Sequence, residues 1–152
     1  MKVQPLTPII GAEVSGLDLC RLTDRQFDGL SDAFTEHSVL FFRDQDAMAP
    51  ADQVAFAKRF GPLHTHPAAP TLAEQDEIFV IHAHKDSKIA NGNGWHTDVS
   101  CDEEPPLATI LQLHLLPKTG GDTLFASMYA AYETLSETMK AFLMTLKAHH
   151  ES

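Results

Sequence analysis

The order of hydrophobic periods constrains this chain most: helical spacing early, strand-like segments after it, and a further helical run at the end. Ile9–Val14 reads as a strand entering a turn at Ser15-Gly16. Thr23 and Gln26 have capping-box spacing, and Phe27, Leu30 and Phe34 form an i, i+3, i+7 stripe, which predicts a helix. Val39–Phe42 is a short apolar run, as a buried strand requires. Pro50 suits the first turn of a second helix presenting Val54, Ala57 and Phe60, with Gly61-Pro62 as its stop. His64–Gln75 contains Pro67 and Pro70 and no period, so it reads as a loop, and Ile78–Ile81 reads as a strand. Asn91-Gly92-Asn93-Gly94 is a turn signal. Strands are predicted at the segment after it, at Leu107–Leu115 and at Thr123–Ser127, with a turn over Pro117–Asp122. Tyr129–Lys147 reads as one helix, with Leu135, Met139, Phe142 and Leu146 at helical spacing. The pattern predicts an α+β architecture on a β core, with 1–152 forming one domain or part of one.

Several function classes fall away on composition. Eleven Lys plus Arg against 21 Asp plus Glu give a formal net charge of −10. Nucleic-acid binding needs clustered cations, so no nucleic-acid partner is expected. No apolar run is long enough to cross a bilayer, so no membrane partner is expected. Met1-Lys2-Val3-Gln4-Pro5 lacks a signal-peptide core, and the expected location is cytoplasmic. Cys20 and Cys101 are too few for a disulfide framework and read as buried thiols.

Chemistry concentrates at Trp95-His96-Thr97-Asp98. On a strand, His-x-Asp points both side chains to one face. One imidazole and one carboxylate are two thirds of the 2-His-1-carboxylate facial triad of non-haem Fe(II) oxygenases. Alone the spacing is weak, because a surface strand with an unconnected His and Asp is spelled the same way. The Gly/Asn loop before it, the adjacent Trp95 and the apolar, carboxylate-free run Leu107–Leu115 further on favour a metal site. Gly120-Gly121-Asp122-Thr123 reads first as a hairpin turn opening a strand. Its alternative reading gives the Thr123 hydroxyl an anionic co-substrate to bond. His64-Thr65-His66-Pro67 has i, i+2 histidines, but its prolines favour a pocket-lining or solvated role over metal ligation. His84, His114 and His149-His150 lack partner spacing.

Together, Trp95-His96-Thr97-Asp98, Pro105-Pro106, Leu116-Pro117-Lys118-Thr119-Gly120-Gly121-Asp122-Thr123 and Ala130–Ser136 resemble the taurine dioxygenase (TauD/TfdA) family. That family includes 2,4-D dioxygenase-type and alkylsulfatase-type enzymes. Gly11–Gly16, Phe42-Arg43-Asp44-Gln45 and Arg59–Leu63 are similar too, so the resemblance covers nearly the whole sequence. It implies a double-stranded β-helix (jelly roll) core with flanking helices. It also implies Fe(II) held by His96 and Asp98, with 2-oxoglutarate and O2 as co-substrates. By the same resemblance Thr123 bonds a 2-oxoglutarate carboxylate and His66 lines the pocket of a small anionic substrate.

The sequence also departs from the family. The family's second iron histidine, and the arginines for 2-oxoglutarate and substrate, lie beyond the Gly-Gly-Asp-Thr motif and have no counterpart before Ser152. The chain therefore reads as an N-terminal portion with an incomplete β-helix, expected to be poorly active alone and prone to self-association. Ala69 and Gly92 stand where taurine enzymes place a tyrosine and an asparagine, which favours a larger or less polar anion than taurine. Two other readings compete: a non-catalytic remnant, and a zinc hydrolase or cupin-like isomerase using His96, Asp98 and another histidine. Zinc sites usually supply three protein ligands, and the Gly-Gly-Asp-Thr context belongs to the dioxygenases.

Overall fold

A computed structural model describes residues 1–65, 71–72, 75–84, 86–87 and 94–150. They belong to two compact units, Met1–Ala47 with Leu113–Lys147, and Met48–Gln112 with Ala148–Ser152.

The first unit holds a mixed three-stranded sheet. Strand β1 (Lys2–Pro5) pairs antiparallel with β2 (Ala12–Ser15), matching Val3 to Val14. Strand β3 (Leu40–Phe41) pairs parallel with β2, matching Ala12 to Leu40. A parallel pair needs a crossover, and helix α1 (Asp24–His37) supplies it. Its start is written locally. The Thr23 hydroxyl accepts from Gln26 N, and Gln26 Oε1 accepts from Thr23 N at 2.9 Å, the expected capping box. Its end is Ser38, in the left-handed region at φ 63°, whose N–H bonds Phe34 O at 2.8 Å. The stripe is only partly inward: Leu30 and Ala33 are buried, while Phe27 and Phe34 are half-buried. Ala12, Val14 and Leu17 join them in the core of this unit. Fully burying a Val or Leu contributes about 1.5–3 kcal/mol. Strand β1 was not expected, because Lys2-Val3-Gln4-Pro5 has too little apolar alternation to announce it.

The expected terminal helix is two helices, α3 (Met128–Glu133) and α4 (Glu137–Leu143). Ser136 causes the break: its hydroxyl accepts from Met139 N at 3.2 Å and starts a new helix. Lys140 reaches back across the break, with Nζ 3.0 Å from Glu133 Oε2 and 3.3 Å from Glu137 Oε1. The hydrogen bond to Glu133 above all holds its pKa above the ordinary lysine value; burial opposes this and Glu137 adds to it.

In the second unit, helix α2 (Pro50–Lys58) starts at Pro50 as predicted, and the Ala49 carbonyl accepts from Asp52 and Gln53 N–H. It buries Val54 and Phe56, and Phe56 meets Phe60 edge-on at 5.4 Å. The helix packs on β5 (Gln75–Phe79), which pairs antiparallel with β4 (Thr71–Leu72). Strand β4 lies in the stretch read as loop, and β5 starts earlier than expected.

The strands predicted around 95–98, at 107–115 and at 123–127 are not formed among the described residues. A strand exists only through its ladder, because unpaired backbone N–H and C=O groups gain nothing from the extended form. These segments have the right residues but no partner strand among those described. Both cysteines are exposed thiols rather than buried ones, since neither lies in an apolar core segment. No helix among the described residues is long and apolar enough to cross a membrane.

Candidate metal centre

His96 and Asp98 both belong to the second unit, on irregular chain that enters a turn at Asp98–Cys101 rather than on a strand. The turn achieves what the strand was expected to achieve. His96 Nε2 and Asp98 Oδ1 stand 3.2 Å apart, and both side chains are about half exposed. His96 Nδ1 is 2.8 Å from the Gly94 carbonyl oxygen. A carbonyl only accepts, so Nδ1 carries the proton and a neutral His96 presents a bare lone pair at Nε2. Nε2 faces Asp98 Oδ1 at ion-pair distance, so a proton or a cation can lie between the two atoms. Two donors each about 2.1 Å from a metal, at right angles, stand about 3 Å apart. The observed spacing and the backbone bond behind the imidazole therefore fit a divalent cation held by cis ligands.

Asp98 is held from its other side as well. The Thr109 hydroxyl donates to Asp98 Oδ2 at 2.7 Å. Neighbouring positions of the turn are also bonded: His64 Nε2 lies 2.8 Å from Asp102 Oδ2, and His150 Nδ1 lies 3.0 Å from Ser100 Oγ. Sequence reading missed Thr109; its only signal was one hydroxyl in the apolar run Leu107–Leu111.

Among the described residues no third His, Cys, Asp or Glu joins the pair. His64 pairs with Asp102. Thr123 lies in the first unit, exposed, after Gly120 and Gly121 at φ 75° and 74°. Two successive left-handed residues make the expected turn, and a Cβ on Gly121 would sit 3.2 Å from Pro117 Cγ, so glycine is required there. His66, Ala69 and Gly92 lie outside the described residues.

This chain belongs to the Taurine catabolism dioxygenase TauD, TfdA family, whose family model matches residues 2–152. It is 39% identical to an alkylsulfatase of Acinetobacter baylyi over 153 residues, covering 100% of this chain and 47% of that protein. It is 36% identical to the (S)-phenoxypropionate/alpha-ketoglutarate-dioxygenase of Sphingobium herbicidovorans, covering 97% of this chain and 52% of that one. The crystal structure of a taurine dioxygenase from Burkholderia xenovorans superposes with a TM-score of 0.81 at 35% identity, over 93% of this chain and 50% of that one. The chain thus spans about half the length of the relatives it matches.

Proposed function

We propose that this chain is the iron-binding portion of a single dioxygenase domain that hydroxylates a small organic anion and completes its core as a double-stranded β-helix. The observation that carries this is the 3.2 Å approach of His96 Nε2 to Asp98 Oδ1 in a chain belonging to this family. Fe(II), when bound with 2-oxoglutarate and O2, supplies the oxidising chemistry: one oxygen atom enters a substrate C–H bond and the other leaves in succinate, with CO2 released. His96 contributes Nε2 to the metal while Gly94 holds the Nδ1 proton. Asp98 contributes Oδ1. The Thr123 hydroxyl donates to a 2-oxoglutarate carboxylate, and His66 lines the substrate pocket.

The substrate proposed is an alkyl sulfate, an alkyl sulfonate or an aryloxyalkanoate, acted on in the cytoplasm. Relatives named for alkyl sulfate and phenoxypropionate chemistry support that range. Ala69 and Gly92 support it too, since neither offers the polar contacts that a small zwitterion needs. The test is succinate formation by the longest open reading frame that contains this sequence, offered hexyl sulfate, an aryloxypropionate, an alkyl sulfonate and taurine. Succinate that depends on one of the first three supports the proposal. Clear preference for taurine overturns the substrate range, and no succinate with any of them overturns the activity.

A further inference from the structure

We propose that Thr109 is a positioning residue that sets how Asp98 meets the metal, holding one carboxylate oxygen so that only the other is offered. The inference rests on His96 and Asp98 being the ligand pair. A carboxylate has two equivalent oxygens and can bind a cation through one or both. Here they are made inequivalent. Oδ2 accepts the Thr109 hydroxyl at 2.7 Å, while Oδ1 lies 3.2 Å from His96 Nε2. A 2.7 Å O–H···O⁻ bond is short and charge-assisted, the stronger kind of hydrogen bond. Binding a cation through both oxygens would turn the carboxylate plane and strain the Thr109 bond, so that bond favours the orientation in which Oδ1 is offered. The consequence is chemical. Fe(II), when bound, would need positions open for its co-substrates, and a carboxylate that offers one oxygen would leave more of them free than one that offers two.

Thr109 is itself held in place. Three residues on, the Gln112 side-chain amide makes two bonds to the main chain of Met48, accepting from Met48 N at 2.7 Å and donating to Met48 O at 3.1 Å. The amide acts as a one-residue strand partner and fixes the segment that presents the hydroxyl. The turn around Asp98 is fixed from the opposite direction by His64 on Asp102. Both ends of the Thr109–Asp98 bond are thus anchored independently, the condition under which an outer hydrogen bond orients a ligand rather than following it.

The test uses Mn(II) and the 152-residue chain, reading paramagnetic broadening of the His96 ring protons together with the Mn(II) dissociation constant. Thr109→Val keeps the shape and removes the hydroxyl; Thr109→Ser keeps the hydroxyl. The expected result is a dissociation constant about tenfold weaker in T109V, with T109S within about twofold of the parent. Unchanged circular dichroism of T109V would separate this from misfolding, and if T109V does not fold, T109S against Thr109→Ala carries the same comparison. Equal Mn(II) affinity in T109V and the parent, while Asp98→Ala abolishes the broadening of the His96 ring protons, overturns the role of Thr109 alone. No broadening in the parent overturns the ligand pair, and the role of Thr109 with it.

Discussion

Val99, the residue directly after Asp98, holds φ +51°. A β-branched side chain rarely adopts that conformation, because Cβ crowds the following carbonyl at a cost of about 1–2 kcal/mol. Such strain persists where the surroundings over-determine it, and it clusters at functional sites. Here the surroundings are Thr109 on Asp98, His150 on Ser100 and His64 on Asp102, so the bonded positions flank the strained one. The strain makes a prediction that opposes the usual rule for Val→Gly. Glycine relieves the positive φ but adds about 0.5–1 kcal/mol of chain entropy. Val99→Gly is therefore expected to change stability by no more than about 1 kcal/mol in urea titration. A loss above about 3 kcal/mol would show that the side chain is needed for packing rather than merely tolerated in the turn.

Among the elements, α1 was the most legible, because its start is a purely local device. Thr23 and Gln26 both occupy the positions the capping box needs, and no distant residue takes part. Thr23→Ala should lower stability by about 1 kcal/mol, seen as a shifted denaturation midpoint, and Thr23→Ser should restore it. No shift in T23A would mean the helix is fixed by packing alone. Helices α3 and α4 were read as one, because Leu135, Met139, Phe142 and Leu146 keep helical spacing straight through the break. Hydrophobic period records which face is apolar, not whether a serine hydroxyl has restarted the backbone ladder. Lys140 spans that break and gives it a pH signature. A pKa raised in the folded chain stabilises fully below the ordinary value of 10.5 and is lost as pH rises through the higher folded value. The stability difference between the parent and Lys140→Met is therefore expected to be flat from pH 7 to pH 9 and to shrink only in strong alkali. A difference that faded between pH 7 and pH 9 would contradict the Glu133 pairing. The site was half legible for a related reason. His96 and Asp98 are two positions apart, so their meeting is local and survives the replacement of a strand by a turn. Thr109 is eleven positions further on and meets Asp98 only through the fold.

At the scale of the whole molecule, the described residues carry many large apolar side chains at the surface, among them Leu107, Leu111, Leu113, Leu115, Leu124 and Met144. Leu111, Leu113 and Leu115 lie in the segment read from sequence as a strand, and among the described residues no ladder pairs it. A net charge of −10 keeps copies apart at low ionic strength. Salt screens that repulsion and leaves the apolar attraction. Sedimentation of the 152-residue chain is expected to show association that grows with protein concentration and with added salt. A monomer at both low and high salt would contradict it. If this chain supplies two adjacent ligands to a metal, anaerobic titration with Co(II), followed by its visible absorption, reads that binding without a substrate. The expected result is one saturable site per chain that His96→Ala and Asp98→Ala each abolish. Binding that survives in both variants, or no binding by the parent, would contradict the claim.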